Sequence, residues 1–293
     1  MAKVGVIKVG VIKEIWRFPV KSMQGDTVKR CTVSKQGLLG DRCWAMRDEG
    51  RKEVQWGKKY PQLMLCKARY REEPDGGDIK PVDITFPDGE TVGSDDAVVH
   101  AKLSELIGRE AMLWPLQPAG DVDFYKRYKP DEEQFMREIG DAFAREPGEP
   151  VPDMFQFPEV LMDHVSVPGT FFDNEELHMI TTASMEYMAL KNPKASWDIR
   201  RFRPNFYIET DSGLDGLIEN EWVGRRLRIG ATTVEISAPT PRCGMTVRPQ
   251  GDLEYDKSIL RTIVKDGDQN LGVGAHFREG GEVRIGDAVE VLD

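Results

Sequence analysis

The stretch Val6-Ile7-Lys8-Val9-Gly10-Val11-Ile12-Lys13-Glu14-Ile15-Trp16 is rich in β-branched side chains, which is typical of a β-strand. Similar short runs recur along the chain and are separated by clusters of Gly, Pro and Asp. They are residues 27–33, 43–47, 63–70, 178–181, 206–209, 226–229, 233–236, 283–285 and 288–292. Short strands that recur about every 8–12 residues favour a barrel or a sandwich. The sequence therefore predicts a β-rich α+β protein.

Three segments have helical periodicity, residues 95–107, 131–144 and 182–190, and we expect them at the periphery of the strands. Residues 118–160 differ from their surroundings because they combine several prolines with many charges. This composition predicts an insertion or interdomain segment, which either covers the surface or acts as a lid or substrate selector. The chain is thus divided into residues 1–117, 118–160 and 161–293.

The composition excludes some classes of function. The chain has 293 residues and a formal net charge of −10, whereas a general nucleic-acid binder would have a basic excess. No run of about 18 apolar residues predicts a membrane span, and no signal peptide is visible. The four cysteines form no CxxC pair, so we expect free thiols in a reducing compartment and a cytoplasmic protein.

The segment Ala238-Pro-Thr-Pro-Arg-Cys-Gly-Met-Thr-Val-Arg-Pro249 places a cysteine on a turn after a strand-like run. A neighbouring arginine favours the thiolate, which is the form that binds soft metals or acts as a nucleophile. Cys243 is therefore a candidate metal ligand, although a buried structural cysteine after a strand fits the same pattern.

Three other segments carry cations that suit an anionic ligand. They are Phe18–Met23 with Lys21 and Ser22, Gly37–Trp44 with Asp41 and Arg42, and Arg200–Phe206 with three arginines. In an extended segment Arg201 and Arg203 would project to the same side. Solvated lysines, a hairpin with a local ion pair and a solvated basic edge are the alternatives. Taken together with the Cys243 turn, these segments predict a phosphorylated ligand that also carries a thiophilic centre.

In these motifs the sequence resembles the MOSC family, and in particular its two-module group that includes the mitochondrial amidoxime-reducing component and its bacterial relatives. Residues 12–47 resemble the N-terminal β-barrel module through Pro19-Val-Lys-Ser22, Gly37-Leu-Leu-Gly-Asp-Arg42 and Trp44. Residues 178–293 resemble the MOSC domain through Thr181–Ser184, Arg201–Asn205 and Arg242–Thr246. The resemblance implies an N-terminal β-barrel-like module in 1–117 and a MOSC β-barrel with peripheral helices in 161–293.

The resemblance also implies a bound molybdenum cofactor, a molybdopterin with a phosphate and a dithiolene. Cys243 matches the residue that ligates molybdenum and is thus both the catalytic and the metal residue. The implied cofactor-binding residues are Lys21, Ser22, Arg42, Asp173, Asn174, Arg203, Asn205 and Arg242. Arg248 departs from the family, which often has an acid there.

The function implied by the resemblance is reductive cleavage of an N–O bond in small N-hydroxylated substrates by oxygen transfer to molybdenum. Because no flavin, haem or iron–sulfur motif is visible, electrons would come from a separate donor protein. A cofactor carrier or sulfur-handling protein without reductase activity is the alternative. A further alternative is a binding module whose site no longer holds the cofactor.

Overall fold

A computed structural model describes residues 6–129, 131–153, 158–173 and 175–292. The strands are β1 (Val6–Arg17), β2 (Asp26–Val28), β3 (Arg30–Ser34), β4 (Gly37–Leu38), β5 (Trp44–Asp48), β6 (Glu53–Val54), β7 (Lys67–Tyr70), β8 (Val82–Thr85), β9 (Thr91–Gly93), β10 (Ala111–Pro115), β11 (Leu177–Thr181), β12 (Phe206–Thr210), β13 (Arg226–Ile229), β14 (Thr232–Pro241), β15 (Asn270–Glu279), β16 (Gly281–Arg284) and β17 (Ala288–Leu292). The α-helices are α1 (Val98–Ile107), α2 (Glu132–Phe143), α3 (Thr182–Lys191) and α4 (Lys257–Asp266).

A closed seven-stranded barrel forms the C-terminal half of the molecule. Its strands follow the order β12-β11-β15-β14-β13-β17-β1, and β12 pairs with β1 to close the ring. Closure leaves no unpaired sheet edge. The interior is filled by apolar side chains, with Ile12, Ile15, Phe206, Val234 and Val291 each at most 2% exposed. The predicted MOSC-type barrel is therefore confirmed.

Strand β1 joins the two halves of the chain because it belongs by sequence to residues 1–117 and yet lies in this barrel. It pairs with β12 on one side and with β17 on the other. Gly10 lets β1 approach β12 closely, since a Cβ at this position would overlap the carbonyl oxygen of Glu209. The sequence boundary at residue 117 is thus not a spatial boundary.

The N-terminal module is built from three small sheets, β7-β8-β9, β10-β5-β6 and β16-β3-β4. Val20, Met23, Leu63 and Ile84 belong to the apolar core that the module shares with α1, and each of the four is completely buried. The C-terminal strand β16 pairs with β3, so the last part of the chain also contributes to this region. The predicted β-rich α+β class with a β-barrel-like N-terminal module is confirmed.

Helix α2 begins after the predicted residue, with Asp131 as N-cap accepting a 2.7 Å hydrogen bond from the Gln134 amide. Helix α3 begins at the predicted residue, and its N-cap Thr181 accepts a hydrogen bond from the Ser184 amide. The predicted strand over 63–70 is wrong at its start, because Pro61–Leu65 form a 3₁₀ turn that the proline favours at its first position. No helix in the described ranges is both long and apolar enough to cross a membrane.

Candidate functional site

A cleft of about 180 Å³ lies between the two halves of the molecule and gathers most of the predicted site residues. We call it the cation cleft. Its lining includes Lys21, Ser22, Arg42, Lys58, Phe143, Phe172, Asp173, Glu175, His178, Arg201, Arg203, Thr240, Arg242 and Cys243. The cationic segments that are far apart in sequence therefore face one space, in a chain whose net charge is negative.

Cys243 lies where β14 ends, as the N-cap of a short 3₁₀ helix over Gly244–Val247. Its carbonyl oxygen accepts hydrogen bonds from the amide and the hydroxyl of Thr246, at 3.2 and 3.0 Å. Its side chain is partly exposed in a polar cleft and is not embedded in the apolar core. The sulfur is accordingly accessible to a ligand.

The loop after Cys243 is held by the buried guanidinium group of Arg201. This group donates to the carbonyl oxygens of Glu254 at 2.8 Å and Arg248 at 3.4 Å. The predicted extended conformation of this segment is wrong, because Ile199–Arg201 form a 3₁₀ turn and Arg203 is left-handed with φ of 54°. Arg201 and Arg203 nevertheless both line the cleft.

Arg242 lies beside the sulfur and is 8% exposed. Its guanidinium group donates to the Phe202 carbonyl at 2.8 Å and lies 3.2 Å from Nε2 of His178. Burial lowers the pKa of Arg242 to about 10, although a Cys243 thiolate opposes this shift. Burial and the Arg242 charge hold the pKa of His178 well below its usual value, which keeps this imidazole neutral.

Two lysines share one carboxylate at the opposite wall. Asp173 pairs with Lys21 and also with Lys58, whose Nζ lies 3.3 Å from Oδ2. Burial lowers the pKa of Lys21 even though Asp173 opposes it, whereas for Lys58 the attraction of Asp173 outweighs burial and raises the pKa. Burial also opposes ionisation of Asp173, but the two ammonium groups hold its pKa far below the usual value.

Arg203 is a buried cation with incomplete pairing. Its Nη1 donates to the Met23 carbonyl at 2.6 Å, and its guanidinium carbon lies 4.2 Å from the centre of the Phe18 ring. Its Nη2 is buried without a hydrogen-bond partner among the described residues. Burial, reinforced by the nearby Arg42 charge, lowers the pKa of Arg203 to about 9. An anion in the cleft would complete its coordination.

Three side chains of the cleft project from left-handed backbone. Ser22, Arg42 and Arg203 have φ values of 68°, 51° and 54°. Non-glycine residues in this conformation carry strain, which concentrates at functional sites. The Ser22 hydroxyl oxygen already accepts from the Gly57 amide at 2.8 Å, so its proton is available to a ligand.

Asn205 lies behind the cleft and not in its lining. Its amide nitrogen donates to Oδ2 of Asp41 at 3.0 Å, and its oxygen accepts from the His178 amide at 3.2 Å. Asp41 in turn pairs with Arg42. Asn205 therefore helps to position Arg42, through Asp41, and His178, through its backbone amide, without lining the cleft itself. The predicted residue Asn174 lies outside the described residues.

The segment 118–160 reaches the cleft through Phe143, at the end of α2, and contacts the Cys243 turn through Arg145. Arg145 donates to the Arg242 carbonyl at 3.1 Å, and Gly244 leaves room for Ala144. On its other side, α2 is fastened by Glu138 to Arg51 and Lys59. This segment thus supports the Cys243 turn directly.

Lys58, Phe143 and Arg145 were not predicted as site residues. Each sits outside the recognisable motifs, in a charged or loop-like context that resembles ordinary surface. Trp56-Gly57 next to Lys58 was the one local signal, because a tryptophan can carry a cation over its ring, and here the Lys58 Nζ lies 4.6 Å from the Trp56 ring centre.

The donor set fits an anionic cofactor that brings its own metal ligands. Within the described ranges, no group of three or more His, Cys, Asp or Glu side chains is placed to hold a metal ion. A metal bound by Cys243 would have one soft protein ligand and would take its remaining ligands from an organic partner. Arg203 Nη2, Arg242 Nε and Thr240 Oγ1 are buried at the cleft without partners in the described part of the chain, as a missing ligand would leave them.

Comparison with known protein families gives two matches that together span most of the chain. The model of the MOSC N-terminal beta barrel domain matches residues 9–116, and that of the MOSC domain matches residues 168–290. A search of the curated proteins found no match.

Among solved structures, the YUAD protein from Bacillus subtilis is 9% identical, with a TM-score of 0.45 and coverage of 99% of this chain and 98% of that one. YiiM from Escherichia coli is 18% identical with a TM-score of 0.31, covering 41% of this chain and 55% of its own. YiiM from Geobacillus stearothermophilus is 15% identical with a TM-score of 0.30 and the same coverage. From its two family matches and its closed barrel, the chain belongs to the two-module MOSC proteins, a family linked to molybdenum-cofactor binding.

Proposed function

We propose that this protein is a cytoplasmic, molybdenum-cofactor-dependent reductase of small N-hydroxylated compounds. The observation that carries the proposal is the cation cleft, in which one accessible thiol lies among six cationic side chains. These are Lys21, Arg42, Lys58, Arg201, Arg203 and Arg242. The four free cysteines agree with a reducing compartment.

The residues divide into a metal end and an anion end. Cys243 would ligate molybdenum, with the Arg242 side chain buried beside it. Lys21, Arg42 and Arg203 would hold the pterin and its phosphate, with the Ser22 hydroxyl as a further donor. Asp173 opposes the fall in the pKa of Lys21 that burial causes, and so favours the charged ammonium group. Asn205 acts through Asp41 as a positioning residue.

The net reaction breaks the N–O bond of an N–OH group. Two electrons and two protons enter, and the N–H product and one water leave. When bound, the cofactor supplies the two-electron chemistry of molybdenum. The electrons come from a separate donor protein. The part of this chain is to fix the cofactor, keep His178 neutral and shield the reacting end from bulk water.

The test is to express the protein in a host that makes the cofactor and to measure molybdenum per chain and benzamidoxime reduction with a chemical electron donor. Cys243→Ala should lose both by more than tenfold. Cys66→Ala, at a buried thiol in the core of the N-terminal module, is the matched control and should keep both. Full metal and activity in Cys243→Ala would contradict the proposal.

The carrier or sulfur-handling alternative has its own outcome in the same experiment. A carrier would release the cofactor to a recipient enzyme during gel filtration and would not reduce benzamidoxime. An emptied binding module would contain no molybdenum at all. The partly unpaired buried cations favour tight retention, because their pairing would be lost on release.

A further inference from the structure

A second and larger cavity adjoins the cation cleft, with a volume of about 860 Å³. We call it the side cavity. Arg42, Phe172 and Glu175 line both spaces, so the two share a wall. Its size falls within the range of small-molecule sites. Of the residues that we assign to the cofactor, only Arg42 also lines this space, whereas Lys21, Ser22, Arg203, Arg242 and Cys243 do not.

The walls of the side cavity are mainly apolar. They include Leu38, Leu39, Leu116, Pro118, Val167 and Phe171. Gly37, with φ of 102°, lets the backbone next to Leu38 pack closely against Phe172. A Cβ at this position would lie 3.0 Å from the Phe172 ring. A rigid aromatic or aliphatic body would be desolvated here.

Glu175 is the carboxylate at the shared wall, where the other charged side chain, Arg42, is already paired with Asp41. Its Oε1 accepts from the Ser237 hydroxyl at 3.0 Å, and within the described residues no lysine or arginine lies at ion-pair distance. Its neighbour Glu176 is instead committed, because it binds Nδ1 of His276 at 2.8 Å and accepts from the Phe277 amide. Glu175 therefore has acceptor capacity left for a ligand.

A glycine in strand β15 leaves the space that this carboxylate occupies. A Cβ on Gly274 would overlap the carboxyl group of Glu175. The carboxylate thus lies directly against the strand, between the side cavity and the cleft, where a glycine is the residue that leaves room.

We propose that the side cavity is the substrate site, that it takes molecules with an apolar body and an N–H-donating head, and that Glu175 binds that head beside the cation cleft. A carboxylate pairs with two N–H donors of one planar group and repels anions. The cavity therefore admits N-hydroxylated amidines and related nitrogen bases in preference to oxyanions. This inference rests on the proposed reductase function for its chemistry, but not for its binding.

The test is calorimetric titration of the purified cofactor-loaded protein with three probes of equal shape, namely benzamidoxime, benzamidine and benzoate. The two nitrogen bases should bind and benzoate should bind at least tenfold more weakly. Glu175→Gln should weaken benzamidine binding about 10- to 100-fold, as expected for loss of a charged hydrogen bond. Leu39→Trp, which fills the apolar end, should weaken all binding about tenfold or more.

The matched control is Glu235→Gln, on the outer face of β14, which should bind all probes like the parent protein. Molybdenum content should be unchanged in all three variants. Equal binding of benzoate and benzamidine, or unchanged benzamidine binding in both Glu175→Gln and Leu39→Trp, would overturn the inference. So would a loss of molybdenum in Glu175→Gln, which would make Glu175 a cofactor ligand.

The same data separate this inference from the proposed function. Binding that depends on Glu175, in a protein that reduces no N-hydroxylated compound, leaves the cavity assignment standing and contradicts the reductase. A rate of reduction that is unchanged in Glu175→Gln and in Leu39→Trp supports the reductase function and contradicts the assignment of the side cavity as the substrate site. Because the two substitutions lie in different segments, one variant remains informative if the other does not fold.

Discussion

The cation cleft and the side cavity share a wall but have opposite electrostatic character. The cleft gathers six lysine and arginine side chains, and Asp173 is paired with two of them. The side cavity has apolar walls and a carboxylate, Glu175, that lacks a lysine or arginine partner among the described residues. If both proposals hold, one junction between two β modules binds an anion on one side and a base on the other.

The largest expected effect comes from removing the least paired cation of the cleft. Arg203→Met should reduce molybdenum content by more than tenfold, because charged hydrogen bonds contribute about 1.5–3 kcal/mol each. Elemental analysis measures this loss. The cofactor-free variant should unfold at the same or a higher urea concentration than the parent, since a buried and incompletely paired charge is gone.

Arg200→Met is the matched control for Arg203→Met. Arg200 lies three residues away, but it pairs with Asp198 and Asp252 near the surface and does not line the cleft. The Arg200→Met variant should contain as much molybdenum per chain as the parent protein. Equal metal content in the two variants would show that Arg203 has no special part in cofactor binding.

A second prediction concerns the carboxylate that stabilises the lysine pair. Asp173→Asn should destabilise the cofactor-free protein by about 1–3 kcal/mol, a reduced value for a pair whose acid is partly exposed. Because the Asp173 pKa is depressed, its stabilisation is present above the unfolded pKa of about 4 and is lost as the pH falls further. Urea unfolding of the parent and the variant at pH 7 and pH 3 measures the loss of stability and its pH dependence. A variant as stable as the parent at pH 7 would contradict the prediction.

A third prediction tests the side cavity through its backbone. Gly274→Ala should displace the Glu175 carboxylate and weaken benzamidine binding about tenfold, at an overpacking cost of about 1–3 kcal/mol. Molybdenum content should not change. Gly120→Ala is the control, because nothing lies within 4 Å of a Cβ at that position. Identical affinities in the two variants would argue against the placement of Glu175.

The smallest effect is expected at the rim of the side cavity. The hydrogen bond to Glu176 raises the pKa of His276 above 6.5. Its stabilisation is therefore complete below the unfolded pKa of about 6.5 and is lost as the pH rises through the folded value. An NMR titration should show the raised His276 pKa, and Glu176→Gln should return it toward 6.5; an unchanged pKa in the variant would contradict this pairing.

The sequence predicted the cleft better than the side cavity. Lys21, Arg42, Arg203 and Cys243 stand in motifs whose local backbone is itself unusual, with left-handed residues or a turn at the end of a strand. Lys58 and Phe143 reach the same cleft through tertiary packing, which local patterns do not encode. Glu175 was not predicted because its role depends on Gly274, about a hundred residues away, which leaves room for it.

Among secondary structure elements, β13 and β17 were predicted at their observed ends because each is a short run of alternating side chains. Strand β15 was missed, since its glycines at 272 and 274 weaken the β signal where the chain packs most closely. The Arg200–Arg203 segment was assigned an extended form because charge alone does not specify a 3₁₀ turn.

Strand β1 has a consequence for biosynthesis. During translation it leaves the ribosome long before its partners β12 and β17 exist, so the barrel stays open until β17 has emerged. Pairings this remote fold slowly and leave an apolar edge exposed to aggregation. A premature stop codon that removes β17 should therefore yield an insoluble product, even though the residues of the cation cleft are encoded upstream of β17.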